Sequence, residues 1–239
     1  MKVLNDLLNY NKMKIYQDTD MFSFSLDSVL LANFVKINKS VKTILDIGTG
    51  NAVIPLILST KTSAHIVGVE IQSEVYVLAK KSIEYNCLEN QIEVINSDIK
   101  NYIKDMDSDQ FDVVTCNPPF FKIEGNSNKN DSIYKTIARH EIYLTLEDVI
   151  SVGKKILKNT GSLFLVHRAN RLIDIISQLK QNNLEPKRIQ FVFPKKDKEA
   201  NMVLIEATKN GRPGIKIMPP IYAHLENGEY TQEVKRLFE

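Results

Sequence analysis

Cysteine and histidine are scarce in this chain. Cys87 and Cys116 have no CxxC spacing, and the four histidines, His65, His140, His167 and His224, show no ligand pairing. These spacings argue against a disulfide framework and against zinc, so no metal is expected. Long hydrophobic runs are missing too: no stretch reaches the roughly 18 apolar residues of a membrane span. The opening MKVLNDLLNYNK breaks its apolar residues with Asn and Asp too often for a secretory signal. The chain therefore reads as cytoplasmic, with no membrane partner. Neither an internal repeat nor a second core divides the 239 residues, which suffice for one large domain. We expect a single domain over 1–239, made of an N-terminal segment and helix (1–40) and a main fold (41–239).

The net charge of +2 is small but uneven. Residues 186–216 hold Lys187, Arg188, Lys195, Lys196, Lys198, Lys209, Arg212 and Lys216 against Asp197, Glu199 and Glu206, an excess of five cations. A solvated charged face is the plain explanation, and a polyanionic partner is the sharper one.

From residue 40 onward, apolar runs alternate with helical periodicity, the pattern of βαβ units around a parallel sheet. Strands are expected at Thr43 to Asp46, His65 to Glu70, Ile92 to Asn96, Phe111 to Thr115 and Ser162 to Val166. Val75, Leu78, Ala79 and Ile83 form one apolar stripe of a helix for which Ser73 is a suitable cap. Further helices fit Leu26 to Val35, Val53 to Ser59, Leu146 to Leu157 and Arg171 to Gln181. RIQFVFP (188–194) and NMVLIEA (201–207) predict an antiparallel hairpin around the charged loop KKDKEA, and the polar stretch 122–135 is a disordered loop or a lid.

LDIGTGNA (45–52) follows the first strand and opens a helix. Gly48 and Gly50 permit a tight turn and a close approach of backbone to ligand, as nucleotide folds require. Glu70 ends the next strand twenty residues after Gly50, where a carboxylate can accept both ribose hydroxyls. A dinucleotide site would want a third glycine where Val53 stands, and Asp46 would oppose a pyrophosphate. That carboxylate instead suits a ligand bearing an amino group and a sulfonium, such as S-adenosylmethionine. Asp98 is placed to accept from an adenine amine, with Ile71 and Ile99 against its ring, or else to cap a turn.

FDVVTCNPPFF (111–121) ends its strand in a stiff pair of acceptors: the Asn117 side-chain carbonyl and the Pro118 backbone carbonyl, with Pro119 holding its predecessor extended. Two acceptors pulling on a conjugated amine favour the pyramidal nitrogen that attack requires. Phe120 offers a face for a planar target, while Phe121 and Cys116 read as packing.

Through LDIGTGNAVIP, GVEIQ, NSDI and NPPF in that order, the chain resembles class I S-adenosylmethionine-dependent methyltransferases that act on amines. More closely, it is similar to the bacterial tRNA (adenine-N6) methyltransferases that modify the adenosine just 3′ of the anticodon in valine tRNA. FSFSLDSVLLA (22–32), ARHE (138–141) and GRPG (211–214) extend the likeness over nearly the whole length. The resemblance implies an α/β, Rossmann-like class I methyltransferase fold, with a mostly parallel seven-stranded sheet ending in an antiparallel hairpin. It implies S-adenosyl-L-methionine as cofactor and the anticodon loop of a tRNA as partner. Around the cofactor it places Phe24, Ser25, Asp46, Gly48, Gly50, Glu70, Asp98 and Asn117, joined by Ile71 and Ile99. Asn117, Pro118 and Phe120 would receive the flipped adenine and Arg139 a phosphate, with Lys187, Arg188, Lys195, Lys196 and Lys198 under the loop. Ser25 with Asp27 equally suits a plain helix start. Methyltransferases acting on glutamine N5 of a translation factor or on a ribosomal RNA base amine share the NPP-aromatic motif. A noncatalytic cofactor- or RNA-binding module would share the fold. NPPF rather than NPPY, and the short segment before the glycine turn, favour adenine.

Overall fold

The computed structural model describes residues 2–7, 12–18, 26–118 and 144–238. Strands Lys2–Asp6 (β1) and Lys14–Asp18 (β2) pair as an antiparallel hairpin. There follow Leu26–Phe34 (α1), Thr43–Ile47 (β3), Val53–Ser59 (α2), His65–Glu70 (β4), Ser73–Tyr85 (α3), Ile92–Asn96 (β5), Ile99–Tyr102 (α4) and Phe111–Cys116 (β6). The second half comprises Leu146–Ile156 (α5), Leu157–Arg168 (β7), Leu172–Gln181 (α6), Leu184–Phe193 (β8), Met202–Lys209 (β9), Lys216–Ile217 (β10), Ile221–Tyr222 (β11) and Gln232–Arg236 (α7).

The main sheet runs β10-β8-β9-β7-β6-β3-β4-β5, with β11 also on β8. Strands β3 to β7 are mutually parallel, and β9 is antiparallel to both β7 and β8. The expected seven strands and hairpin are present, and the two-residue strands β10 and β11 add to the edge of β8. Both faces of the sheet are covered, so its strands alternate between two cores rather than between core and water. Ile44, Val113, Phe164 and Leu204 join the core under α1, α2 and α3, while Leu45, Val114, Leu165 and Ile205 join the one under α5 and α6.

Helix α3 begins at Ser73 with Gln72 as its N-cap residue, one position earlier than the expected cap. Strand β7 is longer than its apolar centre suggested: it starts at Leu157, which pairs with Phe111, and the register shifts before Ser162 meets Val113. The N-terminal hairpin went unread because β1 is almost wholly exposed. Its position comes from side chains of α3 and just beyond: Ser82 Oγ accepts from Tyr16 N (2.9 Å), and Asn86 both accepts from Lys14 N (3.1 Å) and donates to Lys14 O (2.7 Å). Among the described residues no helix is long and apolar enough to cross a membrane.

Candidate active site

β3, β4 and β6 deliver the acids and the amide to one edge. Gly68, Asp46 and Thr115 lie in register across β4, β3 and β6. Asp46 is 1% exposed, and it accepts from Thr49 Oγ1 (2.7 Å) and Thr115 Oγ1 (2.6 Å). It therefore lies beneath the glycine turn and fixes it from below. Burial raises its pKa to about 7, the two hydroxyls opposing that shift and the nearby Glu70 charge adding to it.

Thr49 can reach Asp46 because Gly68 has no side chain. A Cβ there would lie 2.8 Å from Thr49 Oγ1 and 3.0 Å from Thr49 Cβ, closer than atoms tolerate. Sequence reasoning passed over Gly68; its signal was a glycine inside an apolar strand, which marks a close approach. Gly48 and Gly50 adopt φ of +65° and +58°, the left-handed region that favours glycine. A Cβ on Gly50 would meet nothing within 4 Å, so the turn borders open space.

Glu70 is 4% exposed; it accepts from Gly50 N and Gln72 N, each at 2.9 Å. One lone pair on each oxygen is left for a diol. Burial raises its pKa, and the backbone N–H groups restrain the rise. Asp98 caps α4 by accepting from Lys100 N at 2.8 Å, as the turn-cap alternative anticipated, and its second oxygen stays available. Beside it lies a shallow, open cleft lined by Ile47, Gly48, Val69, Ile71, Ile99 and Leu144. An apolar slot, a carboxylate oxygen for an amine, and a second carboxylate for a diol fit an adenosine. Gly48, Ile71, Asp98 and Ile99 line this cleft together.

Cys116 pairs with Ile47, so Gly48 and Asn117 leave neighbouring parallel strands at the same level, roughly 5 Å apart. Asn117 Nδ2 donates to Ser28 Oγ at 3.0 Å. That bond fixes the amide and leaves its carbonyl oxygen as the acceptor. Ser28, on α1, is 89 residues away in sequence; it lies within FSFSLDSVLLA, but nothing in that stretch ties it to Asn117. Pro118 is buried. Phe24, Ser25, Phe120, Arg139 and the 122–135 segment lie outside the described residues.

The basic stretch does not form one surface. Arg188 is 7% exposed, ion-paired with Glu206, bonded through Nη2 to Phe34 O (2.9 Å) and stacked 4.2 Å over the Phe34 ring. The expectation that Arg188 lies under an RNA loop is therefore corrected: its charge is neutralised inside the fold. Lys187 donates to Arg212 O (2.9 Å) near the start of β8. Lys196 and Lys198 are exposed and Lys195 half-buried, in the loop after Phe193. Met202 pairs with both Arg168 and Val192, which puts that loop at the carboxyl edge shared by Asn117 and the glycine turn.

A doubly wound sheet with a glycine turn and two buried acids at its carboxyl edge defines the class I methyltransferase type of nucleotide-binding fold. Residues 12–185 match the model of the methyltransferase small domain, and the chain belongs to that family. A Parabacteroides distasonis protein named tRNA1(Val) (adenine(37)-N6)-methyltransferase is 26% identical over 237 residues, 98% of each chain. A Trichodesmium erythraeum protein of the same name is 28% identical and covers 85% of this chain and 84% of its own. Among solved structures, a predicted O-methyltransferase from Agrobacterium tumefaciens superposes with a TM-score of 0.69 at 21% identity, covering 89% of this chain and 95% of the other. Pyrococcus horikoshii TYW2 in complex with MeSAdo gives a TM-score of 0.60 at 12% identity, covering 88% and 72%. These likenesses establish the fold.

Proposed function

We propose that this chain methylates the exocyclic N6 amine of an adenosine in tRNA, the one next to the anticodon of valine tRNA, using S-adenosyl-L-methionine. The observation that carries this reading is the Asn117 amide, anchored through Nδ2 on Ser28, one strand from a cleft shaped for adenosine. Relatives of the same named activity that align along 98% of both chains support it.

When bound, the cofactor supplies a methyl group on a sulfonium. In this reading Glu70 holds the ribose hydroxyls, Asp98 the adenine amine, and Ile71 and Ile99 the ring, while Asp46 under the turn favours a cationic ligand. Asn117 accepts a hydrogen of the target amine, joined by the Pro118 carbonyl, and Phe120 stacks on the base. Positive charge develops on that nitrogen during attack, so a fixed carbonyl dipole there lowers the barrier by on the order of 3 kcal/mol. The methylated amine is acidic enough to lose its proton without a strong base. Phe24 and Ser25 would border the cofactor and Arg139 a phosphate. Lys195, Lys196 and Lys198 would meet the RNA backbone.

Nucleoside analysis of unmodified tRNA incubated with protein and methyl-labelled cofactor tests this, with total protein as a parallel acceptor. N6-methyladenosine beside the anticodon is the expected product. Label in protein alone, or in neither, would refute it.

A further inference from the structure

A buried amide beside the glycine turn is only half used. Gln17, on β2, is 6% exposed. Its Oε1 accepts from Asn5 Nδ2 at 2.7 Å, a diagonal pair across the N-terminal hairpin that fixes which way the amide faces. Its Nε2 is buried and meets no acceptor among the described residues. Burying a donor without a partner costs free energy that an apolar side chain would not, so packing does not explain a glutamine at this position.

The strand carries that donor toward the cofactor cleft. Lys14 is held by Asn86, just beyond the end of α3 and toward the amino side of the sheet. Two residues on, Tyr16 N donates to Ser82 Oγ and Tyr16 O accepts from Asn51 Nδ2 at 3.3 Å. β2 therefore climbs α3 until it meets the residue that follows Gly50. Gln17 is the next step along this path. Side chains alternate along a strand, so Gln17 shares the face of Ile15, while Asp18 takes the opposite face with Tyr16. Ile15 belongs to the core that holds Val29 of α1 and Ala52 and Val53 after the turn. The adenine slot opens on the other face of the sheet, among Ile47, Val69 and Ile99.

We propose that Gln17 Nε2 recognises the α-carboxylate at the amino-acid end of the cofactor. The proposal rests on the S-adenosylmethionine reading above. With adenine in its slot and ribose on Glu70, the amino-acid end is left for the far side of the turn, where α1 and β2 pack. That turn is otherwise unfavourable to an anion, because Asp46 and Glu70 are both buried acids, 1% and 4% exposed. They favour the ammonium and the sulfonium of the ligand and repel its carboxylate. A donor on the side away from them offsets that repulsion. A neutral amide serves where a lysine or arginine would pair with the acids instead, and its hydrogen bond to a carboxylate is charge-assisted.

The test is calorimetric titration of the full chain, Gln17→Leu and Gln17→Glu with S-adenosylhomocysteine and with its decarboxylated counterpart, S-adenosyl-3-thiopropylamine. The two ligands differ only in the carboxylate. The quantity read is the preference for the first over the second within each protein, which a loosened hairpin would leave unchanged. That preference should fall about twentyfold in Gln17→Leu. It should fall further in Gln17→Glu, which keeps the length of the side chain and its acceptor for Asn5 but sets a negative charge against the ligand. A preference that is the same in wild type and Gln17→Leu overturns the proposal, even where both ligands bind more weakly. Wild type that binds neither ligand would refute the cofactor reading as well, whereas binding that ignores residue 17 removes this role of Gln17 alone.

Discussion

At Asn117 a single amide serves two neighbours: the nitrogen is fixed by Ser28 and the carbonyl oxygen is left to act as an acceptor. Asn117→Ala should abolish turnover while leaving cofactor affinity within about tenfold, since only an interaction of the transition state is removed. Ser28→Ala should lower kcat by about tenfold with the KM for cofactor unchanged, and Ser28→Thr should restore it; steady-state kinetics decides both. Beneath the neighbouring turn, Asp46 titrates near 7 rather than near 3.8 because it is buried. A cationic ligand favours its ionised form, so cofactor affinity should rise about tenfold between pH 6 and pH 8, and Asp46→Asn should remove that dependence in calorimetric titrations. For stability the sign is opposite. The folded chain keeps a proton that the unfolded chain releases, so this residue's contribution weakens as pH climbs from about 4 to about 7.

Elements meet at two places where one side chain decides the fit. Thr49 of the glycine turn rests on β4 only because residue 68 is glycine. Gly68→Ala should displace it, cost about 1 to 3 kcal/mol and weaken cofactor binding. Thr49→Ala should be less than additive with it in a double-mutant cycle read by denaturation. On the other flank Arg188 joins β8 to β9 through Glu206 and to α1 through Phe34 O and its ring. Arg188→Ala should lower stability by about 3 kcal/mol in urea titration, because the half-buried Glu206 is left unpaired and the contacts to Phe34 are lost. Lys196→Ala, in the exposed loop after Phe193, should stay within about 0.5 kcal/mol of wild type.

At the scale of the whole molecule, the local cation excess separates into groups with different surroundings. Replacing Lys195, Lys196 and Lys198 by Ala should flatten the salt dependence of RNA binding by about two units of slope. Replacing Lys187, near the start of β8, and Lys216, on β10, should leave it unchanged; filter binding across a salt series distinguishes them. The parallel core was legible in the chain because strand and helix periods are local, and the observed α2, β4 and β5 have the expected limits. The glycine turn was legible for the same reason: a positive φ is a property of one residue and its neighbours. What the linear pattern could not show was which charges would be neutralised, since Arg188 finds Glu206 and Phe34 only when β8, β9 and α1 are assembled. Nor could it show that Ser28 would orient Asn117 or that Thr49 would need Gly68. Each of these depends on register between segments distant in sequence, and register is set by how whole strands bury their two faces.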